Sequence, residues 1–246
     1  LSVSMTGSVS GAIAGALATN DHDAVTTAGF DASSVTSAGN KVDVEALSTT
    51  VLDAHPDAVS VALSASFGGV ALSVAGAVAL NTSNAVISAY ARNGSTLSGT
   101  AIEIEASDES DATAELVAAS ISAGLAGASM AIGYATNTLN TTTESYIADS
   151  TATATTGNVL IDADATQDIS ATSRAVSVSI ALAGVAGAGA EGRTTINGDV
   201  KAYANDATLN ANLGDVLIDA DSIHTARAVT DATAIGVIAV SLLKAT

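Results

Sequence analysis

The segment Gly99–Ala106 reads Gly-Thr-Ala-Ile-Glu-Ile-Glu-Ala, a glycine followed by alternating apolar and acidic residues. Related segments occur three more times, and the four copies are Gly39–Ala46, Gly99–Ala106, Gly157–Ala165 and Gly214–Ser222. Their leading glycines are 57 to 60 residues apart. Self-similarity at a period of tens of residues is typical of solenoids and other repeat proteins. The spacing predicts a single continuous body with a partial repeat at 1–39, repeats at 40–99, 100–157 and 158–214, and a partial repeat at 215–246.

Long runs of small apolar residues follow the acidic segments. In Val59–Ala65 and Val176–Leu182, large apolar residues occupy every second position, and serine or alanine occupies the others. A period of two is that of a β-strand, whose successive side chains point to opposite faces. The uncharged run Val59–Leu80 is long enough to span a membrane. Its period of two and the lack of a flanking Lys or Arg cluster favour strands over a transmembrane helix.

These strands predict an all-β fold, a right-handed parallel β-helix. Turn-forming residues about every ten positions indicate five or six short strands per repeat. With three strands per coil, one repeat would then make about two coils. The alternative is a string of antiparallel β-sandwich modules, which is disfavoured because 2% aromatic content gives a short repeat a poor core of its own.

Composition excludes several functions. The chain has 7 basic and 25 acidic residues and a formal net charge of -18, which argues against a nucleic-acid partner. The three histidines, His22, His55 and His224, fall at unrelated places in the repeat, and no Ser or Thr recurs with a His and an acid. We therefore expect no enzymatic activity; an enzyme of the pectate-lyase kind, which also uses a β-helix, ranks last. The ends, Leu1 and Thr246, lie in mid-repeat, and we expect the chain to be a segment of something longer.

Acidic residues form the best candidate site. Because they alternate with apolar residues, they are expected to share the outward face and to form a column along the stacked coils. One interpretation is a solubilising stripe, and the other is a calcium site, since Ca²⁺ prefers several oxygen ligands. No cofactor is required, and calcium is the one cation that the pattern suggests. The candidate ligands are Asp43, Glu45, Glu103, Glu105, Asp162, Asp164, Asp219 and Asp221.

Three tyrosines recur about ten residues before the leading glycines. Tyr90, Tyr146 and Tyr203 occupy related contexts in successive repeats. They would form either an exposed aromatic row for carbohydrate contact or bulky fillers at a corner of the solenoid.

The chain resembles the β-strand-repeat regions of giant bacterial surface proteins, the filamentous-haemagglutinin-like and leukotoxin-like adhesins. The resemblance covers nearly the whole chain. It rests on the tyrosine segments, on the glycine-led acidic strands, and on runs that end in Ala79-Leu80-Asn81 or Ala135-Thr136-Asn137. The next run departs from the pattern with Glu191-Gly192-Arg193-Thr194. The resemblance implies a secreted, elongated β-solenoid and supplies no ligand.

The expected function is structural: an elongated extracellular or cell-surface fibre or stalk. Both faces of the long runs are nearly free of charge, so we expect another layer or a neighbouring molecule to cover them, by lateral or end-to-end association. The alternative is a bacterial surface adhesin or a calcium-responsive binding module that recognises a surface or a carbohydrate.

Overall fold

The structure, a computed structural model, describes residues 1–6, 8–64 and 68–246, apart from the side chain of Thr6. Strands make up 85% of the described residues, which contain no helix. None of these residues therefore forms a helix of the length and apolarity needed to cross a membrane.

Fifteen strands follow one another along the described part of the chain. They are β1 Ser2–Thr6, β2 Val9–Asp31, β3 Ser34–Thr36, β4 Val42–Ala54, β5 Asp57–Ser64, β6 Val70–Arg92, β7 Thr96–Gly99, β8 Ile102–Ala123, β9 Ala126–Ala148, β10 Thr151–Ala154, β11 Val159–Ile180, β12 Ala183–Asn205, β13 Thr208–Ala211, β14 Val216–Ile235 and β15 Ile238–Ala245. The run Val59–Leu80 falls in β5 and β6, which confirms strands there; its residues 65–67, including Ala65, lie outside the described residues.

The strands form three parallel sheets. Sheet A contains β1, β5, β8, β11 and β14, with β4 also paired to β8. Sheet B contains β2, β6, β9, β12 and β15, and sheet C contains the short strands β3, β7, β10 and β13. The chain passes from sheet A to sheet B to sheet C and back to sheet A, as β8, β9, β10 and β11 illustrate. This arrangement is the predicted parallel β-helix; its right-handed sense stays a prediction.

One sequence repeat makes one coil, and the prediction of two coils built from short strands is wrong. Ile102 pairs with Val159, and Val159 pairs with Val216, so each of these coils takes 57 residues. The strands of sheets A and B run for up to 22 and 23 residues. Polar residues that the sequence analysis assigned to turns lie inside these long strands. Their side chains form hydrogen bonds with equivalent side chains of the neighbouring coils, as Asn81 and Asn137 do.

The interior is wide at one edge and narrow at the other. Where sheet C closes the coil, large side chains such as Leu97, Ile104, Ile147 and Ile161 are fully buried. Away from sheet C, where only sheets A and B face each other, the buried cluster is alanine apart from Leu116. The size of the inward residues therefore makes the cross-section a wedge.

Serine hydroxyls join the two long sheets across the narrow part. The Ser120 hydroxyl of sheet A donates to the carbonyl of Ser73 in sheet B at 2.8 Å. The Ser73 hydroxyl donates back to the carbonyl of Ser60 in sheet A at 2.9 Å, and Ser60 donates to Ala12 of sheet B at 2.8 Å. A single serine side chain thus spans the space between the sheets.

An asparagine ladder runs along the solenoid through Asn20, Asn81 and Asn137, of which Asn81 and Asn137 are buried and Asn20 is partly exposed. The side-chain amide of Asn20 donates to Asn81 Oδ1 at 2.8 Å, and that of Asn81 donates to Asn137 Oδ1 at 2.9 Å. Asn81 also donates to the carbonyl of Thr113, and Asn137 to that of Ser170, both in sheet A. The ladder therefore ties neighbouring coils together and ties sheet B to sheet A.

The corner between sheets B and C uses the same backbone conformation in every coil. Ala32, Asn93, Asp149 and Asp206 occupy equivalent positions there and have φ between 48° and 56°. This left-handed region is costly for most residues and easiest for Asn, Asp and Gly. The Asn and Asp residues after the recurring tyrosines therefore mark the corner in the sequence.

Replacement of Asn137 by alanine is expected to lower the free energy of unfolding by about 3 kcal/mol, because it leaves buried polar groups unpaired. The matched control is Asn210→Ala, which removes an exposed asparagine side chain of β13, and we expect it to cost about 0.5 kcal/mol. Urea denaturation followed by circular dichroism measures both changes. Equal losses would contradict a special role for the asparagine ladder.

Candidate functional site

All eight candidate carboxylates lie on the outer face of sheet A. In β8 the buried Ile102 and Ile104 point inward, and Glu103 and Glu105 between them point outward. The same alternation places the acids of β4 and β11 outside. The acids of β14 are exposed as well. The structure therefore brings the predicted residues to one face.

Their register differs from the sequence alignment of the four glycine-led segments. Asp162 pairs with Glu105, where the alignment of the motifs matched it to Glu103. Glu103 pairs instead with Leu160, because the buried residues Ile102 and Val159 pair with each other and thereby set the register. The two registers differ by two residues, and only a shift by an even number of residues keeps inward side chains inside and outward side chains outside. One four-membered column results, together with two columns of two. The columns are Glu45–Glu105–Asp162–Asp219, Asp43–Glu103 and Asp164–Asp221.

The long column is electrostatically unfavourable. Burial, and then the charges of Glu45 and Asp162, raise the pKa of Glu105 above its usual value. Burial, and then Asp164 and Asp219, likewise raise the pKa of Asp162. Two unit charges one coil apart, at about 4.8 Å, repel by about 0.9 kcal/mol in a water-like dielectric. The folded chain therefore holds protons on this face more tightly than free carboxylates do.

Lys41 offsets one of the two charges in the column formed by Asp43 and Glu103. Its Nζ lies 2.8 Å from Asp43 Oδ2 and 2.5 Å from Glu103 Oε2. The hydrogen bonds to Asp43 and then Glu103 raise the pKa of the Lys41 ammonium. Sequence reasoning missed this residue, although Lys41 is one of only 7 basic residues and stands two positions before Asp43, hence on the same face of the strand.

Calcium binding on this face stays a prediction. Within residues 1–6, 8–64 and 68–246, no group of three or more His, Asp or Glu side chains is arranged to hold a metal ion. The acids lie in rows along the solenoid, on a surface open to solvent, so a cation there would bridge two coils rather than occupy an enclosed cage.

A buried carboxylate, Asp108, lies on the inward side of β8, the strand that also carries Glu103 and Glu105. Asp108 is 1% exposed and accepts hydrogen bonds from the Ser110 hydroxyl at 3.0 Å and from Gln167 Nε2 at 3.1 Å. Gln167 also donates to the Thr141 hydroxyl of sheet B. The alternation along β8 could have predicted this burial from the sequence, since Asp108 lies four residues after Ile104 and therefore on the same, inward side of the strand. This cluster joins sheets A and B and offers no open cleft to a substrate.

The three tyrosines form a stack along the solenoid on the outer side of sheet B. The ring centroids of Tyr90 and Tyr146 are 5.6 Å apart, and those of Tyr146 and Tyr203 are 5.0 Å apart with planes at 4°. The guanidinium of Arg92 covers Tyr90 at 4.4 Å from its centroid. The stacked rings lie outside the interior, so they do not fill a corner of the solenoid, and contact with a carbohydrate stays a prediction.

The histidines do not meet. His22 pairs along sheet B with Ser83, and His224 pairs along sheet A with Gln167. His55 lies beside Asp53, with 2.5 Å between Nε2 and Oδ1, on the exposed surface. The three residues therefore do not form a common site.

Comparisons of this chain with protein-family models, with curated proteins and with solved structures find no match. The fold and the geometry described above therefore stand on this chain alone. Its resemblance to filamentous-haemagglutinin-like adhesins stays a prediction.

The raised pKa values of Glu105, Asp162 and Asp164 predict a pH dependence of stability. A carboxyl group whose pKa is higher in the folded state binds protons preferentially there, so stability falls as pH rises. We expect the melting temperature to fall from the ordinary pKa values, 3.8 for Asp and 4.5 for Glu, upward through the raised ones. The double variant Glu105→Gln, Asp162→Asn is expected to melt higher at neutral pH and to show a flatter pH profile.

Thermal melts across this pH range, with and without added salt, check the prediction. Salt should stabilise the parent chain more than the double variant, because it screens the column. Asp215→Asn removes an exposed carboxylate outside the columns and serves as the control. A double variant with the parent's pH profile would show that the column does not govern stability.

Proposed function

We propose that the chain is a non-catalytic structural module of an elongated fibre or stalk, located outside the cell or on its surface. The observation that carries the proposal is the correspondence between one sequence repeat and one coil: β9, β10 and β11 each pair in register with a strand 57 residues later, so that one repeat extends all three sheets. A body of this kind grows along a single axis, by about 4.8 Å per coil.

Continuous ladders support this role. The buried asparagines, the stacked tyrosines and an exposed row of asparagines each run through several coils. The exposed row joins Asn84, Asn140 and Asn197 by amide hydrogen bonds of 2.8 and 2.9 Å. Such axial bonds connect coil to coil in the direction in which a stalk carries load. Length and stiffness are therefore the properties that this architecture supplies.

Electron microscopy of the native material, combined with fibre diffraction, tests the proposal. Continuous filaments of uniform width, with a reflection at about 4.8 Å along the filament axis, are expected because the strands lie across the solenoid axis. Compact particles without axial order would contradict a fibre or stalk. Isolated rods that carry a distal head would favour the adhesin described next.

A surface adhesin or calcium-responsive module is the second candidate, favoured by the unneutralised column that contains Glu105 and Asp162. Calcium that bridges neighbouring coils would relieve the repulsion in this column. In this case millimolar calcium is expected to raise the melting temperature of the parent chain but not that of the Glu105→Gln, Asp162→Asn variant. Magnesium, which gives up its water less readily, serves as the control. Identical melting curves with and without calcium would rule out the calcium-responsive role.

A further inference from the structure

The outer face of sheet B is apolar in the half next to the turn from sheet A. The inward positions there are Ala, Ser and Gly, so the large side chains of these strands point to solvent. Leu72 and Ile132 are 48% and 50% exposed. This pattern is the reverse of an ordinary half-buried sheet, which places its large residues inside. We call this region the apolar face of sheet B; it comprises the outward residues of β2, β6, β9, β12 and β15 up to Ile132 and its paired neighbours.

A ridge and a trough lie side by side on this face. Met130 pairs with Gly187, and Ile132 pairs with Gly189, so the side chains of β9 stand beside two bare positions of β12. The far wall of the trough is β15, and the depression has a volume of about 300 Å³. A Cβ added at Gly187 or Gly189 would meet no atom within 4 Å. The trough is therefore open, and its width and depth suit apolar side chains.

Charge limits what can cover the face. The chain has a formal net charge of -18, and its acidic columns lie on sheet A. The outward positions of the apolar face carry no charged residue, and the nearest charges are Glu191 and Lys244, which pair with each other at 2.7 Å. A second copy of the same acidic chain can approach this face without opposing carboxylates.

We propose that two copies pack face to face through the apolar face of sheet B. The two-fold axis runs parallel to the strands between β9 and β12, so that β9 of each copy lies over β12 of the other. Met130 and Ile132 of one copy then enter the trough at Gly187 and Gly189 of its partner, and the reverse contact forms by symmetry. The two solenoid axes are antiparallel. This inference rests on the proposed structural function and assigns its lateral contact to one face.

The size of the face suits a reversible contact. With this axis four strands of each copy overlap, because β2 lies beyond β15 of the partner. Four strands about 4.8 Å apart, each contributing about eight residues at about 3.3 Å, give roughly 500 Å² per copy. The pair therefore buries roughly 1,000 Å², the size of a weak, reversible interface. Each added coil enlarges the face, so the contact strengthens with the length of the solenoid.

Sedimentation equilibrium over a range of concentrations tests the contact. The parent chain is expected to form a reversible dimer. The double variant Gly187→Glu, Gly189→Glu fills the trough with charge and is expected to dimerise at least a hundredfold more weakly. The matched control is Arg193→Gln, Thr195→Glu, which lowers the net charge by the same two units at outward positions of the same strand; its dimerisation should stay within threefold of the parent. Circular dichroism verifies that all three chains are folded.

The possible results separate this interface from the proposed function. If the trough variant dimerises as well as the parent, the assigned face is wrong, while self-association stands. If the parent is monomeric although the native material forms filaments, the face is wrong and the fibre stands. If a chelator dissolves the dimer, the acidic columns and not the apolar face hold it together. If the parent is monomeric and binds neutral phosphatidylcholine vesicles instead, a lipid surface replaces the second copy and the proposal fails.

Discussion

The close approach of sheets A and B is the constraint on which the rest of the molecule depends. Hydroxyl groups such as that of Ser120 reach the backbone of the opposite sheet directly. Inward positions in the narrow half are therefore small, apart from Leu116, whose Cδ1 occupies the space left by the missing side chain of Gly133. A larger side chain without such a gap opposite it would force the sheets apart. Small residues bury little apolar surface each, so backbone ladders and side-chain hydrogen bonds carry a larger part of the stability than in an ordinary core.

The same constraint determines the exterior. Because the interior of the narrow half accepts only small residues, the large apolar residues of sheet B, such as Leu72 and Ile132, face outward. At the wide edge, where sheet C leaves room for Ile104 and Leu97, the apolar residues lie inside and the outer face carries acids. The wedge thus separates an apolar outer surface from a charged one. Stacking of the coils then repeats both surfaces along the solenoid. The repulsion between acidic residues and the tendency of apolar residues to associate are therefore repeated in each coil.

Sequence reasoning succeeded where a single strand holds all the information. The period of two predicted the strand at Val176–Ile180, although Ala181 and Leu182 form the turn to β12. It also predicted the outward direction of Glu103 and Glu105, and the recurring segments predicted the solenoid. It failed where neighbouring coils decide the outcome. Asn137 reads as a turn residue, and only the adjacent Asn81 makes it a ladder residue inside a long strand. This error doubled the predicted number of coils.

The register of the acids failed for a related reason. The glycine-led motif invites alignment by its acidic residues, but the inward residues Ile102 and Val159 determine which residues pair. The role of Lys41 likewise depends on Glu103 of the next coil, 62 residues away in sequence. Such contacts depend on the three-dimensional register, which no short stretch of sequence contains.

The correspondence of one repeat to one coil has a mechanical consequence. A folded coil adds about 4.8 Å to the length of the solenoid, whereas its 57 residues, drawn out at about 3.3 Å each, reach roughly 190 Å. A pulling force that peels one coil from an end therefore releases about forty times the length that the coil contributed. Coils that detach one at a time would absorb work in discrete steps, and a stalk built in this way would yield under tension by extension before it breaks.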